Sequence, residues 1–578
     1  MQSPENNGLP TQLARRRFMQ SLGACAVLAG VGLAPRFVQA AMPANSPSDL
    51  PVLEGPNFDI SIEELSVNFT GRPFRGIGIN GSVPAPTLRM REGDEITIRV
   101  TNRMQVTTSL HWHGIILPET MDGVPGLSFD GIQPGETFIY QFKAQQHGTY
   151  WYHSHSAHQE QMGLYGALII EPRQADIVRA ERDYVILLSD WADATPQHIY
   201  AKLKKLSHYY NTRERTLGDF MRESQQEGVS KTFKNRQMWN DMRMSDRDIS
   251  DVTGKVYTFL ANGQTPKEGW EGLFKPGERV RLRFINGSAM TFFDVRIPGL
   301  KMQVISSDGQ YVRPVSGIDE IRIGVAETYD VIVQPAAGAY TIFAQAIDRS
   351  GYARGTLTSR AGQRAAIPPF DAMPVLSHAD MGMGGMDMNM GDMAGMDHSA
   401  MGHGSSSYKP RVDVKLGAHV DMMATNPQVR LNDPGVGLRN NGRRVLAYSD
   451  LRNLTPTRDK RPPSREIELH LTGNMSRYMW SINGVSFMDA KPIALQFGER
   501  VRITFINNTM MNHPMHLHGM WSELETGDPN YLPRKHTVVV QPGAKISYLV
   551  TADAKGQWAY HCHMLYHMDG MMRTVVVA

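Results

Sequence analysis

The chain is nearly without cysteine, holding only Cys25 and Cys562 in 578 residues. No disulfide framework can staple a chain of this length with two thiols, so its stability has to come from buried cores. A charge surplus is missing too. The formal net charge is +3, and residues 1–40 carry four arginines against one glutamate, which leaves the rest near neutral and argues against a nucleic-acid partner. After the N-terminus no apolar run is long enough to span a bilayer, so no stable membrane anchor is expected. The length itself accommodates three or four domains of ordinary size.

Residues 1–40 read as a targeting segment. Arg15-Arg16-Arg17-Phe18 precedes an apolar stretch from Leu22 to Ala34, and Val38-Gln39-Ala40 forms a small-residue cleavage site. The Arg-Arg-x-Phe order resembles a twin-arginine signal, which implies export to the periplasm of an already folded protein. Leu22-Gly23-Ala24-Cys25 resembles a lipoprotein box, but the apolar run continues past Cys25. Cleavage after Ala40 leaves Cys562 alone in an oxidising compartment. An unpaired thiol there is buried, a hazard or a metal ligand.

From about Asp59 onward, short β-branched alternations such as Ile96-Thr97-Ile98-Arg99-Val100 are punctuated by Gly and Pro. One pattern occurs three times. Asn80-Gly81 followed by Glu92-Gly93-Asp94 matches Asn262-Gly263 with Pro276-Gly277-Glu278, and Asn483-Gly484 with Gly498-Glu499, at spacings of roughly 200 residues. The expected fold is therefore all-β, with three β-sandwich domains. Residues 51–173 form the first and 174–370 the second, with a helix-prone excursion at about 195–254; 466–578 form the third. In the excursion Met238, Met242 and Met244 read as packing residues. Residues 371–465 read as a long linker. Within it Met381, Met383, Met386, Met388, Met390, Met393, Met396 and Met401 alternate with Gly, Asp, His398 and His403. These thioethers are soft ligands suited to capturing Cu(I), the bland alternative being a tether whose methionines absorb oxidants.

Histidine is where the chemistry concentrates. Four His-x-His pairs occur, His111/His113, His153/His155, His516/His518 and His561/His563, whereas 20 histidines placed at random would give roughly 0.7. On a strand, His561 and His563 project to one side and Cys562 to the other. A thiolate on one face is thus joined by a few covalent bonds to imidazoles on the opposite face. Cys, His and a weak thioether suit a blue-copper electron-transfer site. The first and third repeats share a frame: Gln133-Pro134-Gly135 precedes His153 as Gln541-Pro542-Gly543 precedes His561. In that register Ser154 takes the place of Cys562, Gln159 of His567 and Leu164 of Met572, and Thr108 likewise sits where the third repeat has His513. The first repeat has therefore lost the thiolate site. The second reads Thr291-Phe292-Phe293-Asp294 where histidines would stand and should bind no metal. Lone histidines, among them His198, His208 and His536, are given no role. The symmetry implies that the first and third domains pool eight imidazoles between them.

His111-Trp112-His113-Gly114, His153-Ser154-His155, His513-Pro514-Met515-His516-Leu517-His518-Gly519 and His561-Cys562-His563…His567…Met572 together resemble the four signatures of three-domain multicopper oxidases. With the signal and the Met-rich linker, the likeness is nearest to the bacterial periplasmic copper-resistance proteins of the CopA/PcoA group. The resemblance implies cupredoxin-like sandwiches and four coppers. Type 1 would be held by His513, Cys562 and His567 with Met572 axial, and type 2 by His111 and His516. The type 3 pair would take His113, His153, His155, His518, His561 and His563. It further implies one-electron oxidation of Cu(I) or another small reductant, coupled to reduction of O2 to water, with a periplasmic copper carrier as the one further partner to expect. Cys562 would relay electrons and Asp122 would stand near the cluster as a proton donor. Some relatives carry a glutamate shortly after the third-domain His-Cys-His, where this chain has Leu565, with Asp569 as the nearest acid. A laccase-like oxidase of phenols and a copper-sequestering protein are the competing readings.

Overall fold

The computed structural model describes residues 50–383 and 408–578. The targeting segment and Met386, Met388, Met390, Met393, Met396 and Met401 lie outside the described residues. Among those described, strands form six sheets, two in each of three successive parts of the chain. The first part has sheets of five and four strands, the second of six and five, and the third of seven and five. Alternate burial along a strand such as Glu95–Asn102 is what a sheet covered on one face requires. The fold is all-β, of cupredoxin-like sandwiches.

The threefold pattern in the sequence has a conformational basis. Asn80, Asn262 and Asn483 have φ of 50°, 50° and 53°, each followed by a glycine at φ of 77°, 72° or 70°. Two successive left-handed residues make the tight turn that suits the twist of a hairpin, and Asn-Gly is the pair that adopts it at least cost. Each asparagine side chain also accepts from a neighbouring strand, from the amides of Ser61, Leu187 and His470 at 2.8, 2.7 and 2.7 Å. A second buried asparagine recurs without having been legible as a motif. Asn102, Asn286 and Asn507 each donate through Nδ2 to two carbonyls, those of Val106 and Ile132, Thr291 and Ile323, and Met511 and Val540. The third pins the turn that leads into His513.

Three helices fill the excursion in the second domain, Pro196–Lys205, Leu217–Glu227 and Val229–Asp241. Thr195 caps the first and a Thr216/Asp219 capping box starts the second. Met244 is buried there, as expected of packing. The stretch 371–465 is not a loose tether where it is described. Leu376, Val420, Met422, Leu438, Leu446 and Leu451 are buried, and Gln428–Val429 adds a short parallel strand beside Ala544–Thr551. Met381 is 0% exposed and Met383 9%, packed where Asn426 N–H donates to Gly382 O (2.8 Å). They belong to a buried apolar cluster that runs through the second and third domains, so neither is presented to solvent for capture.

The second domain carries an ion cluster where a metal site would fall. Asp294, 0% exposed, accepts from Arg322 Nε at 2.7 Å and Arg349 Nη1 at 2.6 Å. Removing one member of such a group strands buried charge. Asp294→Ala should therefore cost about 3–5 kcal/mol, read as a lower urea midpoint of the metal-free chain; an unchanged midpoint would show that the cluster contributes nothing.

Candidate metal centre

Strand pairing puts the histidines together. His111–His113 runs antiparallel to Gly148–His153 with His111 opposite His153, and His513–Leu517 runs antiparallel to Gly556–Cys562 with His516 opposite His561. Directly opposed residues share a face, so each sandwich offers a patch of imidazoles, and the two patches meet. His111 stacks on His518 with centroids 3.9 Å apart, and His113 on His516 at 3.7 Å. Inward-facing nitrogens approach one another, His518 Nε2 to His561 Nε2 at 3.1 Å and His563 Nε2 to His153 Nε2 at 3.3 Å.

The outward nitrogens are tied down. Nδ1–H of His111 donates to Asp122 O (2.8 Å), that of His516 to His536 O (2.6 Å) and that of His561 to Cys562 O (3.0 Å). His518 Nδ1–H donates to Asp122 Oδ2 (2.8 Å), and His153 Nδ1–H to Glu160 Oε2 (2.7 Å). His113 is turned the other way, its Nε2 lying 3.1 Å from both His536 Nδ1 and Thr537 Oγ1. Where a ring nitrogen donates outward, the contact sets the tautomer and leaves the other nitrogen's lone pair pointing inward.

Among the described residues nothing answers those lone pairs. His111 Nε2, His113 Nδ1, His516 Nε2, and both ring nitrogens of His155 are buried without a hydrogen-bond partner. Protonation does not relieve them either. Burial, reinforced by repulsion among the rings, holds His113, His153, His155, His516, His518 and His563 well below the usual histidine range, and His561 at about 4. Neutral imidazoles converging without donors are a ligand set for cations. Triads within 4.8 Å of one another include His111/His516/His518 and His155/His518/His561.

The second site lies on the other face of the same strand. Cys562 Sγ is 3.5 Å from His513 Nδ1 and 3.8 Å from His567 Nδ1, and the two nitrogens are 3.3 Å apart. Bonds of about 2.0 Å to nitrogen and 2.3 Å to sulfur, spread at about 120°, would require separations of about 3.5 and 3.7 Å. The donor set fits a trigonal His2Cys copper. His513 Nε2 lies 2.7 Å from Thr509 Oγ1, and His567 Nε2–H donates to Asp251 Oδ2 at 2.6 Å. In the first domain the equivalent positions bond to one another instead: Thr108 and Ser154 both donate to Gln159 Oε1, at 2.6 and 3.0 Å.

That comparison alters one expectation. Ser154 N–H donates to Leu164 O, whereas Cys562 N–H donates to Met571 O, both at 3.0 Å. Likewise His153 faces Tyr165, while His561 faces Met572. The connection after Cys562 is one residue shorter, so the structural counterpart of Leu164 is Met571. Alternation puts Met571 on the Cys562 side of the sheet and Met572 on the His561 side. Asp122 touches two of the cluster imidazoles, as described. Asp569 does not reach the cluster; its charge acts on Tyr200, Lys204 and His158.

Several contacting residues besides Thr509 escaped sequence reasoning. Asp251 comes from the helical excursion and reaches His567 only through tertiary packing. His536 belongs to no His-x-His pair, and half its role is played by its carbonyl, which no sequence displays. Thr537 acts through a hydroxyl beside it. Glu160 had a usable signal, since it directly follows Gln159, the remnant of the lost ligand. Burial beside Asp190 pushes Glu160 well above the usual carboxylate range.

Paired sandwiches, a His2Cys site and an imidazole cluster define the class of copper oxidases that separate electron entry from oxygen chemistry. Three multicopper oxidase family models match residues 61–175, 182–363 and 460–578, and the chain belongs to the multicopper oxidase family. It is an oxidoreductase with copper as its cofactor. Similar proteins include a copper resistance protein A homolog of Pseudomonas syringae pv. tomato, 54% identical over 98% of this chain and 100% of that one. Copper resistance protein A of Escherichia coli is 51% identical over 98% and 99%. Among solved structures, the laccase of Botrytis aclada shares the fold with a TM-score of 0.61 at 20% identity, over 91% of this chain and 88% of that one. The multicopper oxidase of Campylobacter jejuni does so with 0.57 at 20%, over 95% and 99%.

Among the described residues Cys562 is the free thiol and is buried. Burial, with Asp251 adding to it, pushes its pKa far above the usual thiol range when no cation is bound. In a metal-free chain starting at Ala41, a thiol reagent should label Cys562 only after denaturant is added. Rapid labelling of the folded form would contradict the burial.

Proposed function

We propose that the chain is a periplasmic copper-resistance oxidase that takes single electrons from Cu(I) and delivers them to O2, forming water. The observation that carries the reading is the position of Cys562: its sulfur lies with His513 and His567, while its two covalent neighbours face the eight-imidazole cluster. The copper-resistance names of relatives above 50% identity over nearly the full length support the biological role, and the twin-arginine-like signal supports the periplasm. Among the described residues no helix is long and apolar enough to cross a membrane.

In this reading His513, Cys562 and His567 would hold the type 1 copper, with the Met571 thioether as a further, weak ligand. His111 and His516 would hold type 2, and His113, His153, His155, His518, His561 and His563 would hold the type 3 pair. Bound copper supplies one-electron redox chemistry at the first site, and electrons together with Lewis acidity at the second. Cys562 and the peptide bonds on either side of it make the shortest covalent connection between the sites. Asp122, bonded to His518, and Glu160, bonded to His153, are the carboxylates placed to pass protons toward the oxygen site.

The surroundings of His567 favour a metal-ion reductant over a phenol. The ring is 0% exposed and bonded to Asp251, with Trp480 stacked on it at 3.9 Å. No open face is left for an aromatic substrate, whereas a carboxylate at the outer nitrogen suits a cation. The soft methionines of the segment after Met383 would gather Cu(I), and a periplasmic copper carrier would deliver or receive it.

With the copper-loaded protein, O2 uptake should be faster with Cu(I) than with a phenol, and Cys562→Ser should abolish both the blue absorption and uptake. A Cys562→Ser chain that still protects cells fully would favour sequestration. Met571→Leu should raise the type 1 potential, whereas Met572→Leu should leave it in place; the reverse result would make Met572 the thioether ligand.

A further inference from the structure

The second domain, which supplies none of the copper ligands proposed above, sends one hairpin tip to the edge of the imidazole cluster. The turn Asp308-Gly309 joins strands Met302–Ser307 and Gln310–Ile318. Both residues are left-handed, at φ of 49° and 75°. Gly309 is required there, because a Cβ would lie 2.4 Å from the Tyr150 ring of the first domain. The tip therefore sits where all three domains meet.

Asp308 reaches into the third domain. Its Oδ2 accepts from the main-chain N–H groups of His536 and Thr537, at 3.2 and 3.1 Å, and Oδ1 accepts from Thr328 N–H at 3.1 Å. The side chain is fully buried, and its charge is balanced by Lys535 Nζ at 3.0 Å, which also lies 3.0 Å from Glu327 Oε1 and donates to Ser307 Oγ at 3.0 Å. Lys535 is 0% exposed. Buried ions survive only when paired and hydrogen-bonded throughout, and this group meets that condition only while the second and third domains are docked.

The peptide held this way touches two cluster imidazoles. The His536 carbonyl takes Nδ1–H of His516, and the His536 ring, with Thr537 Oγ1, stands against Nε2 of His113. We infer that Asp308, with Lys535 and Glu327, is a positioning device by which the second domain sets the orientation and tautomer of His516 and His113. The carboxylate fixes the main chain at residues 536 and 537, and that main chain fixes the rings. Partners one step removed from a metal commonly change its affinity by about 10–100-fold. This inference rests on the assignment of His516 and His113 as copper ligands.

The test uses the copper-loaded full-length protein and compares wild type with Asp308→Asn, which is isosteric and keeps one acceptor. Copper per chain, the type 2 electron paramagnetic resonance signal and blue absorption are followed during dialysis against a chelator. Type 2 copper should leave the variant about tenfold faster or more, while blue absorption stays as in wild type. Equal loss of type 2 copper from both proteins overturns the inference, as does parallel loss of the blue band, which would mark general loosening. His536→Ala is the second variant and keeps the carbonyl on His516 while deleting the ring on His113. It should retain type 2 copper and alter the near-ultraviolet type 3 band; the opposite pattern also overturns the inference. Wild-type protein lacking type 2 and type 3 signals would instead overturn the underlying ligand assignment.

Discussion

Eight imidazoles are held between two sandwiches at a density that neutral histidine tolerates and protonated histidine does not. Burial takes away the option of charge, and the hydrogen bonds to Asp122, Glu160, His536 and Cys562 commit one nitrogen of several rings outward. What remains is a set of lone pairs aimed at one another. Such an arrangement is a poor way to stabilise a metal-free protein, since buried polar atoms without partners cost free energy. It becomes favourable once cations occupy the centre, and the rest of the structure serves to keep those rings from relaxing apart.

The three domains divide that labour unequally. The first contributes two His-x-His strands and has filled its former thiolate position with a Thr108–Gln159–Ser154 hydrogen-bond network. The third contributes two more pairs and retains the thiolate. The second has an ion cluster at Asp294, yet its outlying residues touch both metal-binding regions. Asp251 orients His567, and Asp308 fixes the peptide behind His516 and His113. A domain expected to bind no metal is therefore better described as a brace for imidazoles that belong to its neighbours.

Much of the site was legible because strand geometry is periodic. Alternation by two turns His-x-His into a pair on one face, and the same rule separates Cys562 from its neighbours. The Asn-Gly turns revealed three repeats because that dipeptide has few alternatives for two left-handed residues. Met572 shows where such reasoning stops. A register counted along the chain assumes connections of equal length, and one residue fewer after Cys562 moves Met571 to the thiolate side. Met381 and Met383 show a related limit. Their composition suited an open tether, but a core belonging to another part of the chain was there to receive them.

The amino-acid order alone determined the all-β class, the three repeats, the ten histidines and one cysteine that converge, and the domain in which metal sites were lost. Those features depend on local periodicity, which a linear chain displays directly. Only the tertiary structure decided which methionine lies opposite Cys562 where the neighbouring strand begins and which groups anchor the imidazoles from behind. Asp251, Asp308 and the His536 carbonyl come from distant segments or from the main chain itself. Their proximity to the imidazoles is a product of domain docking, and docking leaves no periodic trace in the sequence.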